Sequence, residues 1–254
     1  MKILYFTFIE NPFAPENAGV MRGQVINVLK SISKTADDVE LHWLALINTG
    51  SYKPTEEEIN LLKAELREYN IVLKIIEIPS GKLSRWVFAK DQLAKYASIY
   101  NPDIVHCRVY PSTVVALGIR DKFKFSYKVI FDARGVYPEQ ILERSDGFVG
   151  KVRYKWWKLK EKRLLRDSDL IVGVTNAFVD HFKKINDKSS YKFIPCCVDF
   201  NADQPDNENK ALKNELGFSD NDLIAVYSGN LSAKYSSVNY IADIFTNLYK
   251  NNSN

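Results

Sequence analysis

The stretch Tyr127-Lys-Val-Ile-Phe-Asp132 is a largely apolar run that leads directly into the polar segment Ala133-Arg-Gly-Val-Tyr-Pro-Glu139. A run that is apolar at nearly every position is typical of a strand covered by helices on both faces of a parallel sheet. Similar β-branched and aromatic runs occur at 2–9, 39–46, 71–78, 103–107, 170–174 and 191–194. Stretches with helical periodicity alternate with them, at 20–32, 56–69, 86–99, 112–122, 150–166 and 176–185. This alternation predicts an α/β fold with a doubly wound parallel sheet.

A polar stretch from Asp199 to Asp222, which contains Pro205, interrupts the pattern. It predicts a domain boundary, with a first domain at 1–200, a linker at 201–222 and a second unit at 223–254. The second unit shows one predicted strand, 223–228, and one predicted helix, 237–249. One strand and one helix cannot bury their own apolar faces, since a complete domain needs on the order of 100 residues or more. We therefore expect 223–254 to be the start of a second domain of similar type.

Composition excludes several classes of protein. No window approaches the roughly 18 apolar residues of a membrane-spanning helix, and the polar residues at 10–12 end the first apolar run too early for a signal peptide. The three cysteines, at 107, 196 and 197, make a poor disulfide framework, which predicts a reducing cytoplasmic location. A net charge of only +4 with no recognition motif argues against nucleic-acid binding.

Motifs for several standard chemistries are missing. The loop at 10–19 lacks the three-glycine fingerprint of dinucleotide binding, and the chain has neither a Walker phosphate loop nor a nucleophile elbow. The three histidines, at 42, 106 and 181, are widely spaced in the sequence, so we predict no metal site.

Polar residues remain at the predicted carboxyl ends of strands, where open α/β sheets bind ligands. After the first strand, Gly19 and Arg22 are interpreted as a close-approach glycine and a cation at a helix start that favours an anion, or else as an ordinary turn. After the fourth strand, His106 and Arg108 are candidates, although a lone histidine there is more often structural. After the fifth strand stand Asp132, Arg134 and Glu139, and packing alone gives no reason to group these charges.

At these residues the sequence resembles the retaining, nucleotide-sugar-dependent glycosyltransferases of the GT-B fold, in the large family-four group. The resemblance is carried by the order and spacing of several segments and not by one motif. These segments are Gly19, Pro102-Asp-Ile-Val-His106, Phe131-Asp-Ala-Arg-Gly135, Glu161, Ser168-Asp-Leu-Ile-Val-Gly-Val-Thr175, Ile194-Pro-Cys-Cys-Val-Asp199 and Val226-Tyr-Ser-Gly-Asn-Leu-Ser-Ala-Lys234. The resemblance implies two Rossmann-like domains, with the first on the acceptor side and the second binding most of the donor.

The resemblance also implies roles for particular residues. Gly19 would lie near the donor diphosphate, Asp132 or Arg134 would face the reacting sugar as the catalytic contact, and Lys234 would neutralise the leaving diphosphate. The other predicted substrate contacts are Arg22, His106, Arg108, Glu139 and Asn230. The nucleotide-sugar is a substrate in this scheme, so no cofactor is expected.

This chain departs from the family pattern at several points. Asp132 stands where many members have His, Asn230 stands where many have Arg, and Cys196-Cys197 replaces Asn-Gly. The paired-glutamate segment of the donor domain is not in this sequence, so we expect weak donor binding and negligible transfer by these 254 residues alone.

The segment 151–166 contains eight basic residues and one acid, with Trp156 and Trp157 among them. A basic amphipathic helix with tryptophans predicts peripheral binding to an anionic membrane surface, here the inner face of the membrane. The alternative is a helix with packed tryptophans and a solvated basic face.

Two functions stay open from the sequence. One is transfer of a sugar from a nucleotide-sugar to a glycan or lipid-linked acceptor in cell-surface polysaccharide biosynthesis. The other is a non-catalytic subunit of a split transferase that binds the acceptor or a partner.

Overall fold

The fold is described from a computed structural model, which describes residues 1–36, 38–144, 147–196, 215–219, 222, 224–227 and 238–251. The chain divides into two compact units, Met1–Val198 and Asp199–Asn254. The described helices of the chain include none that is long and apolar enough to cross a membrane.

The first unit is built on a sheet of seven parallel strands in the order β3-β2-β1-β4-β5-β6-β7. Their bounds are β1 Lys2–Ile9, β2 Glu40–Ile47, β3 Ile71–Glu77, β4 Ile104–Arg108, β5 Lys128–Ala133, β6 Leu170–Gly173 and β7 Tyr191–Phe193. Every predicted strand of the first domain is confirmed within one residue at either end. The order changes direction between β1 and β4, which is where doubly wound sheets open a crevice at their carboxyl edge.

Helices cover both faces of this sheet. In chain order they are α1 Pro15–Met21, α2 Asn27–Thr35, α3 Glu56–Arg67, α4 Ser84–Tyr100, α5 Val109–Phe123, α6 Tyr137–Arg144, α7 Gly147–Asp167 and α8 Asn176–Ile185. A π-helical segment, Arg22–Ile26, joins α1 to α2. The second unit contributes α9, Val238–Asn251.

Two apolar clusters show how the faces are covered. One contains Leu4, Phe6 and Phe8 of β1 with residues of α4, α5, α7 and α8, and the other contains Tyr5 with residues of α2 and α3. Alternate residues of β1 thus enter opposite clusters, because successive side chains of a strand point to opposite faces. The α/β doubly wound prediction is confirmed.

Local differences from the prediction have clear physical causes. The first helix begins at Pro15 and not near residue 20, since proline is favoured in the first helical turn. Helix α6 was not predicted, because its eight residues follow a strand end whose charges were interpreted only as a site. The predicted strand at 223–228 is wrong over its described residues: 224–227 form no ladder, and a strand needs a hydrogen-bonded neighbour.

Candidate functional site

The candidate site lies at the carboxyl edge of the sheet, where β1, β4 and β5 are adjacent. Arg108 at the end of β4 lies opposite Asp132 of β5 in the ladder, and His106 lies opposite Tyr5 of β1. Residues of the same parity on parallel neighbours share a face, so His106, Arg108 and Asp132 are on the same face of the sheet. The fold therefore brings together three of the predicted site residues.

Asp132 and Arg134 form a buried ion pair at this edge. Asp132 is fully buried, and Arg134 donates to its Oδ2 from Nε at 3.0 Å and from an Nη atom at 2.7 Å. Nε2 of His106 lies 3.4 Å from the same oxygen, and the Tyr5 hydroxyl lies 3.5 Å from it. Burial alone would raise the pKa of Asp132, but His106 and Arg134 outweigh burial and hold this pKa below its usual value. The carboxylate is therefore charged at neutral pH.

A second ion pair, between the partly buried Glu10 and the buried Arg108, joins the ends of β1 and β4. Arg108 is 2% exposed and donates from Nε to Oε1 of Glu10 at 3.1 Å and from Nη2 to Oε1 of Gln24 at 2.9 Å. Burial raises the pKa of Glu10, and the neighbouring guanidinium only partly offsets this effect. Glu10 and Gln24 were missed in the sequence. Glu10 lies at the end of an apolar strand, as the predicted site residues do. This position is the sequence feature that could have identified it.

The backbone next to this pair is strained. Ile9 and Val109, which flank Glu10 and Arg108 respectively, have φ angles of 83° and 58°. Both residues are β-branched, and such residues rarely adopt positive φ, at a cost of about 1–3 kcal/mol each. Gln24 lies in the π-helical segment, a conformation that is frequent at functional sites.

Gly19 and Arg22 are placed differently from the prediction. Gly19 lies inside α1 and not in a loop before a helix start, and its carbonyl accepts from the Arg22 backbone N–H. Arg22 makes an ion pair with Glu65 of α3 on the protein surface. The interpretation as an anion-binding helix start is wrong, because the helix begins one turn earlier.

Glu139 belongs to a separate cluster under α6 and α7. Its Oε1 accepts from Lys158 at 3.1 Å, and Lys158 also bonds the fully buried Glu161. Glu161 accepts in turn from the Tyr110 hydroxyl at 2.6 Å. These bonds join α6 to α7 and α7 to the start of α5. Glu139 therefore helps to hold these helices together.

The same cluster contains a possible set of metal ligands. Single ligand atoms of Glu139, Glu161 and His181 lie within 4.8 Å of one another, although these residues are far apart in the sequence. The ammonium of Lys158 bonds both carboxylates and offsets one of their two negative charges. Because this cation already contacts both carboxylates, we do not infer a metal from the arrangement.

Two predicted substrate contacts, Asn230 and Lys234, lie outside the described residues, as does Cys197. Cys196 is an exposed free thiol whose Sγ lies 3.2 Å from the amide nitrogen of Gln24. The segment that follows β7 thus reaches the side chains of the π-helical segment.

Helix α7 presents two different surfaces. Trp157 is buried, with its ring 4.8 Å from that of Tyr137. Trp156 is 44% exposed, and Phe148, Val149, Val152 and Leu159 are also exposed. At about 100° per residue these five positions form one stripe, with Lys151, Lys155 and Lys162 along one side and Arg153 and Lys160 along the other. One tryptophan therefore packs in the core and the other is exposed, and binding of α7 to a membrane surface stays a prediction.

Comparison with solved structures shows a shared fold. HepE of Anabaena, solved in complex with UDP and glucose, has a TM-score of 0.53 and 14% identity, covering 85% of this chain and 50% of that chain. Sucrose-phosphate synthase of Thermosynechococcus elongatus has a TM-score of 0.56 and 14% identity, covering 84% and 52%. A glycosyltransferase of Rickettsia africae has a TM-score of 0.50 and 19% identity, covering 87% and 50%. The chain thus spans about half the length of these structures.

A search of curated proteins finds no match for this chain. A model of Glycosyltransferase Family 4, in contrast, matches residues 35–202, which is more than half of the chain. This range includes β2 to β7, together with His106, Arg108, Asp132 and Arg134. The resemblance to family-four GT-B enzymes is confirmed, and the chain belongs to Glycosyltransferase Family 4.

Proposed function

We propose that the protein takes part in transfer of a sugar from a nucleotide-sugar donor to a glycan or glycolipid acceptor in cell-surface polysaccharide biosynthesis. The observation that carries this proposal is a charged set at the carboxyl edge of a parallel sheet, in which Arg108 and Asp132 are buried and His106 and Arg134 are partly buried. Buried charges are costly, and a family-four chain has a use for them at the edge where such sheets bind ligands.

Each charged residue has a specific role in the proposed transfer reaction. An acceptor hydroxyl oxygen bonds to the anomeric carbon, the bond from that carbon to the diphosphate breaks, and its electron pair leaves with the nucleoside diphosphate together with the hydroxyl proton. Positive charge develops on the sugar, and the ionised carboxylate of Asp132 is suited to stabilise it. Arg134 keeps that carboxylate charged and oriented. Lys234 is predicted to neutralise the negative charge that develops on the diphosphate.

Activity is tested on a protein that joins this chain to the second half of a complete family member. In that protein we expect Asp132→Ala and Arg134→Ala to reduce sugar transfer by about 100-fold, as for groups that act on the reacting sugar. Lys95→Ala, which removes a surface ion pair with Asp91, serves as the control and should leave transfer unchanged. Full activity in both site variants would remove Asp132 and Arg134 from the mechanism.

The second candidate is a non-catalytic subunit that binds an acceptor or a partner chain. The two candidates differ in the outcome of the same assay. Transfer by the joined protein supports the enzyme, whereas acceptor binding without transfer by any joined form supports the binding subunit.

We also propose peripheral attachment to anionic membranes through α7, with the protein on the cytoplasmic face. The support is the exposed apolar stripe, in which Phe148 is 81% and Leu159 is 68% exposed, flanked by cations on both sides. Apolar side chains that enter the headgroup region and lysines that contact anionic lipid act together, and each cation adds about 1 kcal/mol. Lys158 does not belong to this surface, because it is committed to Glu139 and Glu161.

Co-sedimentation with vesicles that contain phosphatidylserine tests the attachment. We expect binding to fall on charge reversal at Lys151, Lys155 and Lys162, on Phe148→Ser, and on addition of salt. Charge reversal at three exposed lysines away from α7 is the matched control, at Lys53, Lys74 and Lys82. Equal loss in both triple variants would assign the binding to net charge alone, and no binding to any vesicle would contradict the proposal.

A further inference from the structure

Three buried polar atoms at the candidate site lack a hydrogen-bond partner within the described part of the chain. They are Oε2 of Glu10, Nη1 of Arg108 and Oδ1 of Asp132. Leaving a buried donor or acceptor unpaired costs about 1–3 kcal/mol, so such groups are rare unless a ligand uses them. Arg108 is the clearest case, since it is 2% exposed and its other two nitrogen atoms are already bonded.

The charge at these atoms indicates the kind of ligand. Arg108 is paired with Glu10 and Arg134 with Asp132, so each cation is already neutralised by a carboxylate. A phosphate would compete with these carboxylates and would meet the oxygens of Glu10 and Asp132 at close range. A neutral ligand avoids this repulsion.

The unused hydrogen-bonding groups at the site narrow the class of ligand further. Arg108 offers an unused N–H donor, while Glu10 and Asp132 offer unused carboxylate acceptors. A hydroxyl group can accept and donate at once, and neighbouring hydroxyls on a sugar ring can accept from an arginine and donate to a carboxylate. The strained residues Ile9 and Val109 lie directly next to Glu10 and Arg108, and such strain clusters at ligand sites.

We propose that Glu10 and Arg108 together bind neighbouring hydroxyl groups of a neutral pyranose, with Gln24 positioning the guanidinium. This inference rests on the proposed function and adds Glu10 to it as a substrate-binding residue. The pyranose is either the donor sugar or the acceptor, and the shared chemistry is a pair of adjacent hydroxyls.

Saturation-transfer NMR on the full 254-residue chain tests the proposal directly. The probes are methyl glycosides of glucose, galactose and mannose at millimolar concentration, with their 2-deoxy, 3-deoxy and 4-deoxy analogues. We expect signals from at least one parent sugar and loss of signal when one hydroxyl of an adjacent pair is removed. Equal signals from a parent and all of its deoxy analogues would overturn the proposal, as would the absence of signal from every parent.

The variant Glu10→Gln keeps an oxygen for Nε of Arg108 but replaces the unused acceptor atom with a donor. We expect it to weaken pyranose binding tenfold or more, with near-ultraviolet circular dichroism unchanged. Glu40→Gln, an exposed glutamate that pairs with Lys2, is the matched control and should bind as the natural chain does. A folded Glu10→Gln variant with undiminished binding would overturn the proposal. Should this variant fail to fold, the deoxy series on the natural chain still decides the matter.

Two further comparisons distinguish the donor sugar from the acceptor, and the sugar site from the proposed transferase function. In the joined protein, competition by UDP-glucose assigns the site to the donor sugar, and persistence of the signal assigns it to the acceptor. Transfer by the joined protein with undiminished binding in Glu10→Gln removes Glu10 and leaves the proposed function standing. Loss of pyranose binding in Glu10→Gln, with no transfer by any joined form, supports the sugar site and removes the enzyme.

Discussion

Asp132 is the residue whose ionisation most directly connects the site to stability. Its pKa is depressed by His106 and Arg134 despite burial, so it stabilises the folded protein above its unfolded pKa of about 4. This contribution disappears as the pH falls through the lower folded value, because the carboxylate must then take up a proton. The site is therefore a place where acid weakens the fold.

We predict that Asp132→Asn lowers the free energy of unfolding by about 3 kcal/mol near neutral pH, since it leaves the Arg134 charge buried without its partner. The difference from the natural chain should shrink as the pH falls from about 4 through the lower folded pKa, where the natural carboxylate takes up a proton as well. Urea unfolding at several pH values measures this. Asp91→Asn, in an exposed pair with Lys95, should cost little at any pH. A pH-independent loss for Asp132→Asn would contradict the ionised pair.

Val109 allows a test of the strain beside Arg108. Glycine adopts a φ of 58° without steric cost, so Val109→Gly should leave the free energy of unfolding unchanged or raise it by up to about 1 kcal/mol. Val114→Gly, in the middle of α5 and packed against the core, should lower it by about 1 kcal/mol or more. Equal losses in the two variants would show that Val109 is not strained.

The residues of the site were only partly predictable. His106, Arg108, Asp132 and Arg134 were found because each lies at the end of an apolar run, and strand ends are visible in the sequence. Glu10 lies at such an end too, but the pairing of its carboxylate with Arg108 depends on the adjacency of β1 and β4. That adjacency joins residues 98 positions apart and has no local signal.

At the scale of elements, the strands were predictable and the short helices were not. Buried parallel strands are apolar runs bounded by polar residues, and those bounds are local. Helix α6 has eight residues and follows the charged residues Asp132 and Arg134. Its packing against α7 stabilises it. Helices of this length depend on tertiary contacts, which the sequence pattern does not display.

Helix α3 begins with a capping box at Thr55. The Thr55 side chain accepts from the backbone N–H of Glu58 at 3.2 Å, and Glu58 accepts in return from the backbone N–H of Thr55 at 2.8 Å. We predict that Thr55→Ala lowers the free energy of unfolding by about 1 kcal/mol. Thr35→Ala, at the C-terminal end of α2, removes only hydroxyl bonds to the Ser31 and Ile32 carbonyls and should change the free energy of unfolding by less than about 0.5 kcal/mol. Urea unfolding of both variants gives the comparison, and equal losses would argue against the cap.

At the scale of the whole molecule, the position of the hydrophobic core shows which part of the chain forms the folded domain. The buried apolar residues of the described chain run from Leu4 to Phe182, and both core clusters lie within Met1–Val198. The domain boundary near residue 200 and the second-domain identity of 223–254 stay predictions. Their support is the polar stretch and the family resemblance.

This distribution of the core leads to a prediction about autonomous folding. A polypeptide of residues 1–198 should unfold cooperatively in urea with the near-ultraviolet signature of packed tryptophans, because all seven strands and both core clusters are present. A polypeptide of residues 1–168 lacks β6, β7 and α8, and with them the buried Ile171, Val172 and Phe182. It should lose cooperativity and bind hydrophobic dyes, since β5 and α7 would then expose apolar faces. If the longer polypeptide behaves like the shorter one, the first unit needs the residues beyond 198 to fold, and the division of the chain into two units has no thermodynamic meaning.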